Sequence, residues 1–268
     1  MEFTALGSGS DGNAFAVRFP EDGTAVLVDA GFSCRELCQR LNAAGIAPEC
    51  VRAVLLTHDH GDHACGCRVF CDRLRIPLYA GCQTVSFLDQ HEALPSRVYE
   101  FEPGAAFSLD GVDVESFPVS HDAFDPVGFV LRRNGASLGI ATDLGIVTDP
   151  VRRALRGCGM LVFESNYDDA MLAASPRPFS LKQRIRSRIG HLGNADAMRE
   201  LPALIGEATS MVTLVHVSRE CNDYELVGNL AHTMLDELGR NDIYLDVARQ
   251  NEVRPTFRHF RSRGHGAA

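Results

Sequence analysis

The sequence predicts an α/β fold in which strands and helices are mixed within one domain, residues 1–268. Three observations support this prediction. Short apolar segments of β-type composition alternate with turn residues and with stretches that have a helical apolar period. No linker, low-complexity segment or clear repeat divides the chain. A length of 268 residues, of which 45% are hydrophobic, is sufficient for one large core.

The N-terminal part is predicted to be a sheet with helices in its connections. The segments FTALGSG and NAFAVRF predict a hairpin, and AVLVDAG predicts a third strand. SCRELCQRLNAAG predicts a helix that begins after Ser33, a residue type that caps helices, and stops at Gly45. VRAVLLTH is an apolar β-type run that ends at His58. After it, HACGCRVFCDRL predicts a helix and PLYAG a strand.

The C-terminal part repeats this alternation. VDVESFPVSH, VGFVLRR and SLGIATD are three consecutive β-type segments, and MLVFESN and MVTLVHVS are two more. Long amphipathic helices are predicted at 194–206 and 222–239. Catalytic groups of sheet enzymes lie on loops at strand ends, so polar residues there are candidates for one shared site. Those at or near the ends of apolar strands are His58, His121, Asp143 and His216.

The composition excludes several classes of protein. A formal net charge of −9 argues against a surface that wraps nucleic acid by bulk charge, although a local basic patch is compatible with it. The chain contains no apolar run of about eighteen residues and no N-terminal signal pattern. We therefore expect no membrane span, a cytoplasmic location and nine reduced cysteines. Nothing indicates an obligate protein partner, and the oligomeric state stays open.

Residues 56–63, LTHDHGDH, contain three histidines and two aspartates. His58 and His60 are two residues apart and would project to the same side of an extended segment. Asp62 and His63 follow Gly61, where a tight turn would direct them to a second position. Imidazole nitrogens and carboxylate oxygens are ligands of Zn²⁺, and Mn²⁺ or Fe²⁺ also fit these ligand types. The segment therefore predicts a metal site.

THDHGDH resembles the His-x-His-x-Asp-His signature of the metallo-β-lactamase fold, an αββα sandwich of two mixed β-sheets flanked by helices, with metals at one sheet edge. SH at 120–121, TD at 142–143 and VH at 215–216 follow in the order of that family. The resemblance implies two divalent metal ions with a bridging hydroxide between them. It assigns three ligands to each metal and one bridging ligand: His58, His60 and His121; Asp62, His63 and His216; and Asp143.

A more specific resemblance covers nearly the whole chain. LGSGSDGNA, LVDAG, FPVSHDAFDPVGF, ATDLG, VFESN, SLKQRI and GHLGN are similar to the WalJ/YycJ branch, which is related to the tRNase Z and RNase J nucleases. This resemblance implies a metal-dependent phosphodiesterase, an exonuclease that acts 5′ to 3′ on DNA or RNA with Asp62 and Asp143 as catalytic residues. Tyr167 departs from the branch pattern, which has His there, and Cys221 stands where a polar residue is more usual.

The predicted substrate contacts lie outside the metal motif. His191 in IGHLGN corresponds to a histidine that contacts the scissile phosphate in tRNase Z relatives, so we expect a phosphate contact or general acid. The alternative is a residue packed beneath the following helix. Asn13 lies in a Gly-rich loop that could hold a phosphate through its backbone N–H groups, or it is a turn residue.

A basic segment precedes His191, SPRPFSLKQRIRSRIG at 175–190, and contains no acid. We expect it to flank a nucleic-acid backbone, with Arg184 and Arg188 on one helix face. The alternative is a solvated helix face. A second basic segment, 254–266, lies at the C-terminus. The residues of the first segment predicted to bind substrate are Arg177, Lys182, Arg184 and Arg188.

Three other functions compete with a nuclease. The same metal core could hydrolyse a small molecule, such as a cyclic phosphodiester, a thioester or a lactam. An electron-transfer flavodiiron protein would have Glu in place of His60 and an attached flavin domain, for which the chain has no room. A catalytically silent nucleic-acid-binding protein would have little reason to keep every ligand. Asp143, His191 and the basic segment favour phosphodiester chemistry on a polymer.

Overall fold

The computed structural model describes residues 1–259, and two β-sheets of seven strands each form the centre of this part of the chain. In chain order the strands are β1 (Glu2–Gly7), β2 (Ala14–Phe19), β3 (Thr24–Val28), β4 (Val51–Leu55), β5 (Leu78–Gly81), β6 (Val98–Phe101), β7 (Ala106–Leu109), β8 (Val112–Pro118), β9 (Val127–Arg133), β10 (Ala136–Ala141), β11 (Met160–Glu164), β12 (Met211–Val215), β13 (Tyr244–Val247) and β14 (Phe257–Arg258).

Both sheets are mixed. The first has the order β14-β1-β2-β3-β4-β5-β6, and the second has the order β13-β12-β11-β10-β9-β8-β7. In the first sheet, β1 to β3 are antiparallel and β3 to β6 are parallel. In the second sheet, β7 to β10 are antiparallel and β10 to β13 are parallel. Each sheet thus has one set of parallel strands whose carboxyl ends reach the same edge.

The helices cover the outer faces of the two sheets. They are α1 (Cys34–Ala43), α2 (Gly61–Ala64), α3 (Cys67–Leu74), α4 (Cys82–Gln90), α5 (Asp149–Leu155), α6 (Asp169–Ala174), α7 (Phe179–Ile185), α8 (Asn194–Leu204) and α9 (Tyr224–Leu238). One buried apolar cluster, which includes Phe15 and Phe129, joins the inner faces of the sheets. A second packs α1, α3 and α4 on the first sheet, and a third packs α5, α8 and α9 on the second. The predicted αββα sandwich is confirmed.

Most of the predicted elements are present. The N-terminal hairpin forms from β1 and β2, and α1 begins after Ser33, whose Oγ accepts from Glu36 N at 3.3 Å. One helix prediction was wrong, because 63–74 splits into α2 and α3 around Gly66. A Cβ at Gly66 would lie 2.0 Å from the Phe32 carbonyl oxygen. The close packing of this turn against 30–32 therefore interrupts the helix.

Two further findings concern membrane-spanning helices and the C-terminal residues outside the described part of the chain. Among residues 1–259, no helix combines the length and the apolar character needed to cross a bilayer. The C-terminal basic segment extends past the described residues, because 260–266 lie outside them. The single-domain prediction for 1–268 likewise includes nine residues, 260–268, outside that part.

Candidate metal centre

The polar residues singled out in the sequence meet at the edge where the parallel strands of both sheets end. The loop after β4 carries His58 to His63, and the loop after β8 carries His121. Asp143 follows β10, and His216 follows β12. Parallel strands end at a common edge, so residues separated by up to 158 positions become neighbours, as His58 and His216 do.

The first of two ligand triads consists of His58, His60 and His121, whose ligand atoms lie within 4.8 Å of one another. His60 Nδ1 is 3.3 Å from His121 Nε2. The rings of His58 and His60 cross edge to face, with centroids 4.7 Å apart. Three nitrogens that converge in this way form one face of a metal site.

The second triad consists of Asp62, His63 and His216, also within 4.8 Å of one another. Asp62 Oδ2 is 3.4 Å from His63 Nε2 and 3.6 Å from His216 Nε2. Asp143 lies between the two triads: its Oδ2 is 3.1 Å from His63 Nε2 and its Oδ1 is 3.8 Å from His121 Nε2. The carboxylate of Asp143 is thus placed to contact ions held by either triad.

Most of the histidines present Nε2 to the site because their Nδ1 atoms are held from behind. The partners of Nδ1 are Thr57 Oγ1 for His58 at 3.0 Å, Asp29 Oδ2 for His63 at 2.8 Å, the Gly190 carbonyl for His121 at 3.0 Å, and Glu164 Oε1 for His216 at 2.9 Å. Such contacts fix the ring orientation and, for carbonyl or carboxylate partners, the tautomer of a metal ligand.

Asp29 and Glu164 contact histidines of the candidate site, and the sequence analysis did not select them. Both are fully buried, and each ends or directly follows an apolar strand, AVLV for Asp29 and MLVFE for Glu164. Burial raises the pKa of Glu164, but the neighbouring His191 and His216 lower it by a larger amount, so the net shift is downward. The strand-end rule that selected Asp143 could have found both acids.

The donor set fits a divalent cation. His58 Nε2 and His216 Nε2 are buried and have no hydrogen-bond partner among residues 1–259, which is costly unless another group binds them. Burial lowers the pKa of His58 well below its usual value. Burial also opposes the charged form of His216, but the nearby carboxylates, Asp143 foremost, raise its pKa to about 10. The site therefore combines unpaired imidazole nitrogens with negative charge that attracts a cation.

Three residues at this edge have left-handed backbone conformations that are uncommon for residues other than glycine. The φ angles are 61° for Asp29, 54° for Asp143 and 56° for His216. Each follows a strand in the parallel part of its sheet. Left-handed backbone of this kind costs roughly 1–3 kcal/mol per residue and is found most often at functional sites. The surrounding structure thus holds these side chains in directions that a regular strand would not give.

Asn13 lies next to the site but is fully buried. Its Nδ2 is 3.0 Å from the Gly9 carbonyl, which it donates to, 3.3 Å from Asp62 Oδ2 and 3.0 Å from His63 Nε2. The predicted contact of Asn13 with substrate therefore requires correction, because no surface of the side chain is open to one. Asn13 instead connects the Gly-rich loop to the metal motif.

The metal cleft, with a volume of about 210 Å³, opens over the two triads. Of the predicted substrate contacts, His191, Arg177 and Arg184 line it, whereas Lys182 and Arg188 do not. The expectation that Arg184 and Arg188 share a helix face was wrong, because α7 ends at Ile185. The ammonium of Lys182 donates to the Ala173 carbonyl at 2.7 Å, away from the cleft.

The arginines of the cleft rim are held by acids. Arg177 donates to Glu220 at 2.6 Å, and Arg184 donates to Asp122 at 2.5 Å. His191 Nδ1 is 2.9 Å from Glu164 Oε1, so that one carboxylate contacts both His191 and His216. His191 is therefore tied to the metal centre and is not merely a residue packed beneath α8.

The two residues that depart from the branch pattern lie in one small apolar cluster. Tyr167 and Cys221 are buried there together with Leu172 and Ile185, and Leu181 packs against them. This cluster seats α6 and α7, and α7 carries part of the cleft rim. Tyr167 and Cys221, the two residues that depart from the branch pattern, therefore pack beneath the cleft rim.

Comparison with known proteins places this centre in a family. The family model described as "Beta-lactamase superfamily domain" matches residues 24–217. The crystal structure of the metallo-β-lactamase fold protein YhfI from Bacillus subtilis superposes with a TM-score of 0.69 at 15% identity and covers 94% of this chain and 98% of that one. The chain belongs to the β-lactamase superfamily, and its centre is that of a metal-dependent hydrolase.

Within this superfamily the chain is similar to the YycJ/WalJ proteins over most of its length. It is 33% identical over 241 residues to the exodeoxyribonuclease YycJ of Bacillus anthracis, covering 89% of this chain and 90% of that protein. It is 32% identical over 252 residues to the exodeoxyribonuclease WalJ of Streptococcus pneumoniae, covering 92% and 91%. The predicted family is therefore confirmed.

Proposed function

We propose that the chain is a metal-dependent exodeoxyribonuclease that binds two divalent metal ions, Zn²⁺ or Mn²⁺, and degrades DNA from the 5′ end. The observation that carries this proposal is the pair of ligand triads with Asp143 between them. A site with two adjacent ion positions suits phosphodiester hydrolysis. The substrate class rests on the names of the YycJ and WalJ relatives.

The candidate ligands would hold two metal ions, one at each triad. Bound divalent ions supply Lewis-acid charge and lower the pKa of coordinated water to about 7. His58, His60 and His121 would hold one ion and Asp62, His63 and His216 the other, while Asp143 would reach both. Asp29 and Glu164 orient His63 and His216 from behind, so that Nε2 of each stays directed at the ions.

His191 is the candidate for contact with the reacting phosphate. Its Nδ1 is engaged by Glu164, which leaves Nε2 for the cleft that the ring lines. We propose that Nε2–H donates a hydrogen bond to a phosphate oxygen and a proton to the leaving alkoxide. A ring in this role carries a hydrogen on both nitrogens, and its Nδ1–H would be donated to the buried carboxylate of Glu164.

The basic residues of the rim would hold the flanking phosphates. Arg177 and Arg184 line the cleft, and the acids that pair with them set the direction of each guanidinium. Lys182 and Arg188 lie outside the cleft lining, so that they would contact only a longer strand. We further propose a cytoplasmic site of action, because all nine cysteines are free.

A nuclease assay on metal-stripped protein supplied with Mn²⁺ or Zn²⁺ tests this proposal. The substrates are single- and double-stranded DNA and RNA labelled at either end, and Asp143→Asn is the inactive control. We expect mononucleotides released from the 5′ end of DNA by the wild type. Loss of the shared carboxylate should reduce the rate by more than about a hundredfold, since even residues that only orient metal ligands cost 10–100-fold.

Three outcomes would contradict the proposal. Release of nucleotides from the 3′ end, or preference for RNA, would refute the stated polarity or substrate. Failure to cleave any polymer, combined with hydrolysis of a cyclic phosphodiester or thioester reporter, would assign the centre to a small-molecule hydrolase.

A further inference from the structure

The loop between β1 and β2 connects ligands of the second triad that come from different sheets. Asp62 and His63 follow β4 of the first sheet, whereas His216 follows β12 of the second. Two fully buried side chains of the loop, Ser8 and Asn13, contact ligands from both sheets, and we call them the loop pair. Ser8 Oγ accepts from the backbone N–H of His216 at 2.8 Å, and Asn13 Nδ2 is 3.3 Å from Asp62 Oδ2.

The loop pair is joined by hydrogen bonds that fix both side chains. The Ser8 hydroxyl donates to Asn13 Oδ1 at 2.8 Å, and Gly9 N donates to the same oxygen at 3.0 Å. Because Oδ1 accepts from two donors, the amide nitrogen is the end of Asn13 that faces the ligands. The Ser8 oxygen donates its only hydrogen to Asn13, so it remains an acceptor for the N–H of His216. An unbroken chain of hydrogen bonds therefore runs from His216 through the loop pair to Asp62.

The amide of Asn13 has one hydrogen available for the second triad. Its Nδ2 carries two hydrogens, and one of them is donated to the Gly9 carbonyl at 3.0 Å. The other is within reach of His63 Nε2 at 3.0 Å and of Asp62 Oδ2 at 3.3 Å. A histidine that holds an ion uses the lone pair of its ligating nitrogen, so this hydrogen would then be left to Asp62. Asp62 could accept it and still hold the ion, because an ionised carboxylate has about four lone-pair sites.

The loop that carries the pair is itself held in place. Gln250 is 2% exposed, and its side-chain amide donates to the Gly12 carbonyl and accepts from Asp11 N, at 2.9 Å each. The backbone of His216 is left-handed, with φ 56°, and such a conformation persists only where the surrounding structure supports it. The hydrogen bond from His216 N to Ser8, on a loop that is fixed from behind, provides part of this support.

We propose that Ser8 and Asn13 are positioning residues that set the affinity of the second triad for its ion and leave the affinity of the first triad unchanged. This inference rests on the two-ion centre of the proposed function. In the described part of the chain, hydrogen bonds of the loop pair's side chains reach Asp62, His63 and His216, and none reaches a ligand of the first triad. Loss of a group that orients metal ligands usually costs about 10–100-fold in affinity, so the two ions should respond differently.

Titration of the metal-stripped protein with Zn²⁺, by isothermal titration calorimetry and analysis of the bound metal, tests the proposal. We expect the wild type to bind two ions. Ser8→Ala and Asn13→Ala should each weaken the binding of one ion by about 10–100-fold and leave that of the other within about twofold. Asp11→Asn is the matched control: Asp11 is on the same loop, but its side chain is exposed and its carboxylate contacts Arg219, so both affinities should equal those of the wild type.

Two ligand variants identify which ion is weakened. His60→Ala removes a ligand of the first triad, so that the second triad is the intact one, and adding Ser8→Ala should weaken the ion held there by about 10–100-fold. Asp62→Ala removes a ligand of the second triad, and adding Ser8→Ala should then leave the affinity of the first triad within about twofold. Ser8→Ala removes a single oxygen atom, so this comparison stays available if the protein does not fold with alanine in place of the fully buried Asn13.

The outcomes distinguish this inference from the function on which it rests. Two ions bound by Ser8→Ala with the affinities of the wild type would overturn the positioning role and leave the two-ion nuclease intact. Equal weakening in the His60→Ala and Asp62→Ala backgrounds would also overturn it, because the change would then act on the fold as a whole. If the wild type binds a single ion, both the two-ion centre and this inference fail. The expected difference between the ions in a protein that cleaves no DNA would refute the nuclease and keep the role of the loop pair.

Discussion

The two sheets have the same arrangement of strands but contribute to the metal centre in different ways. In each, an antiparallel set joins a parallel set at one strand, β3 in the first sheet and β10 in the second. An aspartate with positive φ follows each of these strands, Asp29 after β3 and Asp143 after β10. Asp29 holds His63 from behind, whereas Asp143 lies between the ligand triads.

The first sheet delivers four ligands in one segment, and the second delivers its ligands one at a time. His58, His60, Asp62 and His63 all follow β4. In the second sheet, His121, Asp143 and His216 follow three different strands. The positions of the four ligands in 58–63, the compact motif, depend on the loop that packs against this segment. The positions of His121, Asp143 and His216 depend instead on the strands staying in register. This difference indicates which substitutions should displace the ligands of the first sheet and which should displace those of the second.

The largest effect is expected at Gly31, which packs against the compact motif. A Cβ at Gly31 would lie 1.7 Å from the Asp62 carbonyl oxygen and 2.7 Å from Asn13 N. Gly31→Ala should therefore displace the Asp62 and His63 ligands. A misplacement of about 1 Å can cost a hundredfold in rate, so we expect metal affinity and activity to fall by at least about that factor.

Gly61→Ala provides the matched control within the motif itself. The sequence analysis expected a tight turn at Gly61, but this residue begins α2, and a Cβ there would meet no atom of the described part of the chain within 4 Å. Its activity should stay within about twofold of the wild type, because alanine is a better helix former than glycine. Metal titration and circular dichroism check both variants. Equal loss in the two would refute the packing explanation.

An intermediate effect is expected when the buried acids lose their charge. Glu164→Gln leaves the volume nearly unchanged but removes the negative charge and one of the two acceptor oxygens. Because Oε1 contacts His191 and His216 while Oε2 accepts from Leu144 N, an amide cannot serve both sets of partners. Metal affinity should fall by about 10–100-fold, the usual cost of losing a residue that orients metal ligands. Asp29→Asn should cost less activity, because Asp29 orients only His63 among the ligands. Isothermal titration calorimetry with the metal ion and measurements of kcat compare the two variants.

The order of these two variants is itself the test. If Asp29→Asn reduced kcat more than Glu164→Gln, then the contact of Glu164 with His191 would have no part in the reaction. The conservative variant Glu164→Asp, which keeps the charge but shortens the side chain, should lie between the wild type and Glu164→Gln.

The smallest effect concerns the helices that cover the second sheet. Arg152 of α5 donates to both oxygens of Glu200 on α8 at 2.8 Å, and the Arg152 side chain is 40% exposed. Solvent screening limits such a pair to about 0.5 kcal/mol, so Glu200→Gln should lower the free energy of unfolding by about that amount at pH 7.

This contribution should depend on pH with a defined sign. The hydrogen bond with Arg152 lowers the pKa of Glu200 below its usual value of 4.5. The folded state therefore binds this proton less readily than the unfolded state, and the stabilisation is present above pH 4.5 and is lost as the pH falls below it. Denaturant unfolding of wild type and Glu200→Gln at pH 7 and at pH 4 measures this. A difference that grew on acidification would contradict the assignment.

Much of the site could be predicted because its residues follow apolar strands. The histidines of the compact motif and His121, Asp143 and His216 were all selected in this way. Asp29 and Glu164 follow the same rule, but aspartate and glutamate are common at strand ends, and no neighbouring ligand in the sequence draws attention to them. The split between α2 and α3 was missed because Gly66 contacts Phe32, a residue 34 positions earlier.

The sequence by itself determined the mixed α/β character and the compact metal motif, through the period of apolar residues and the spacing of two between His58 and His60. The family, and with it the αββα architecture, came from the resemblance that the letters of the motifs carry. Only the tertiary structure decided which acid holds which histidine, that Asn13 is buried and that Arg188 lies off α7. These features depend on contacts between residues far apart in the chain, which the packing of one sheet on the other brings together.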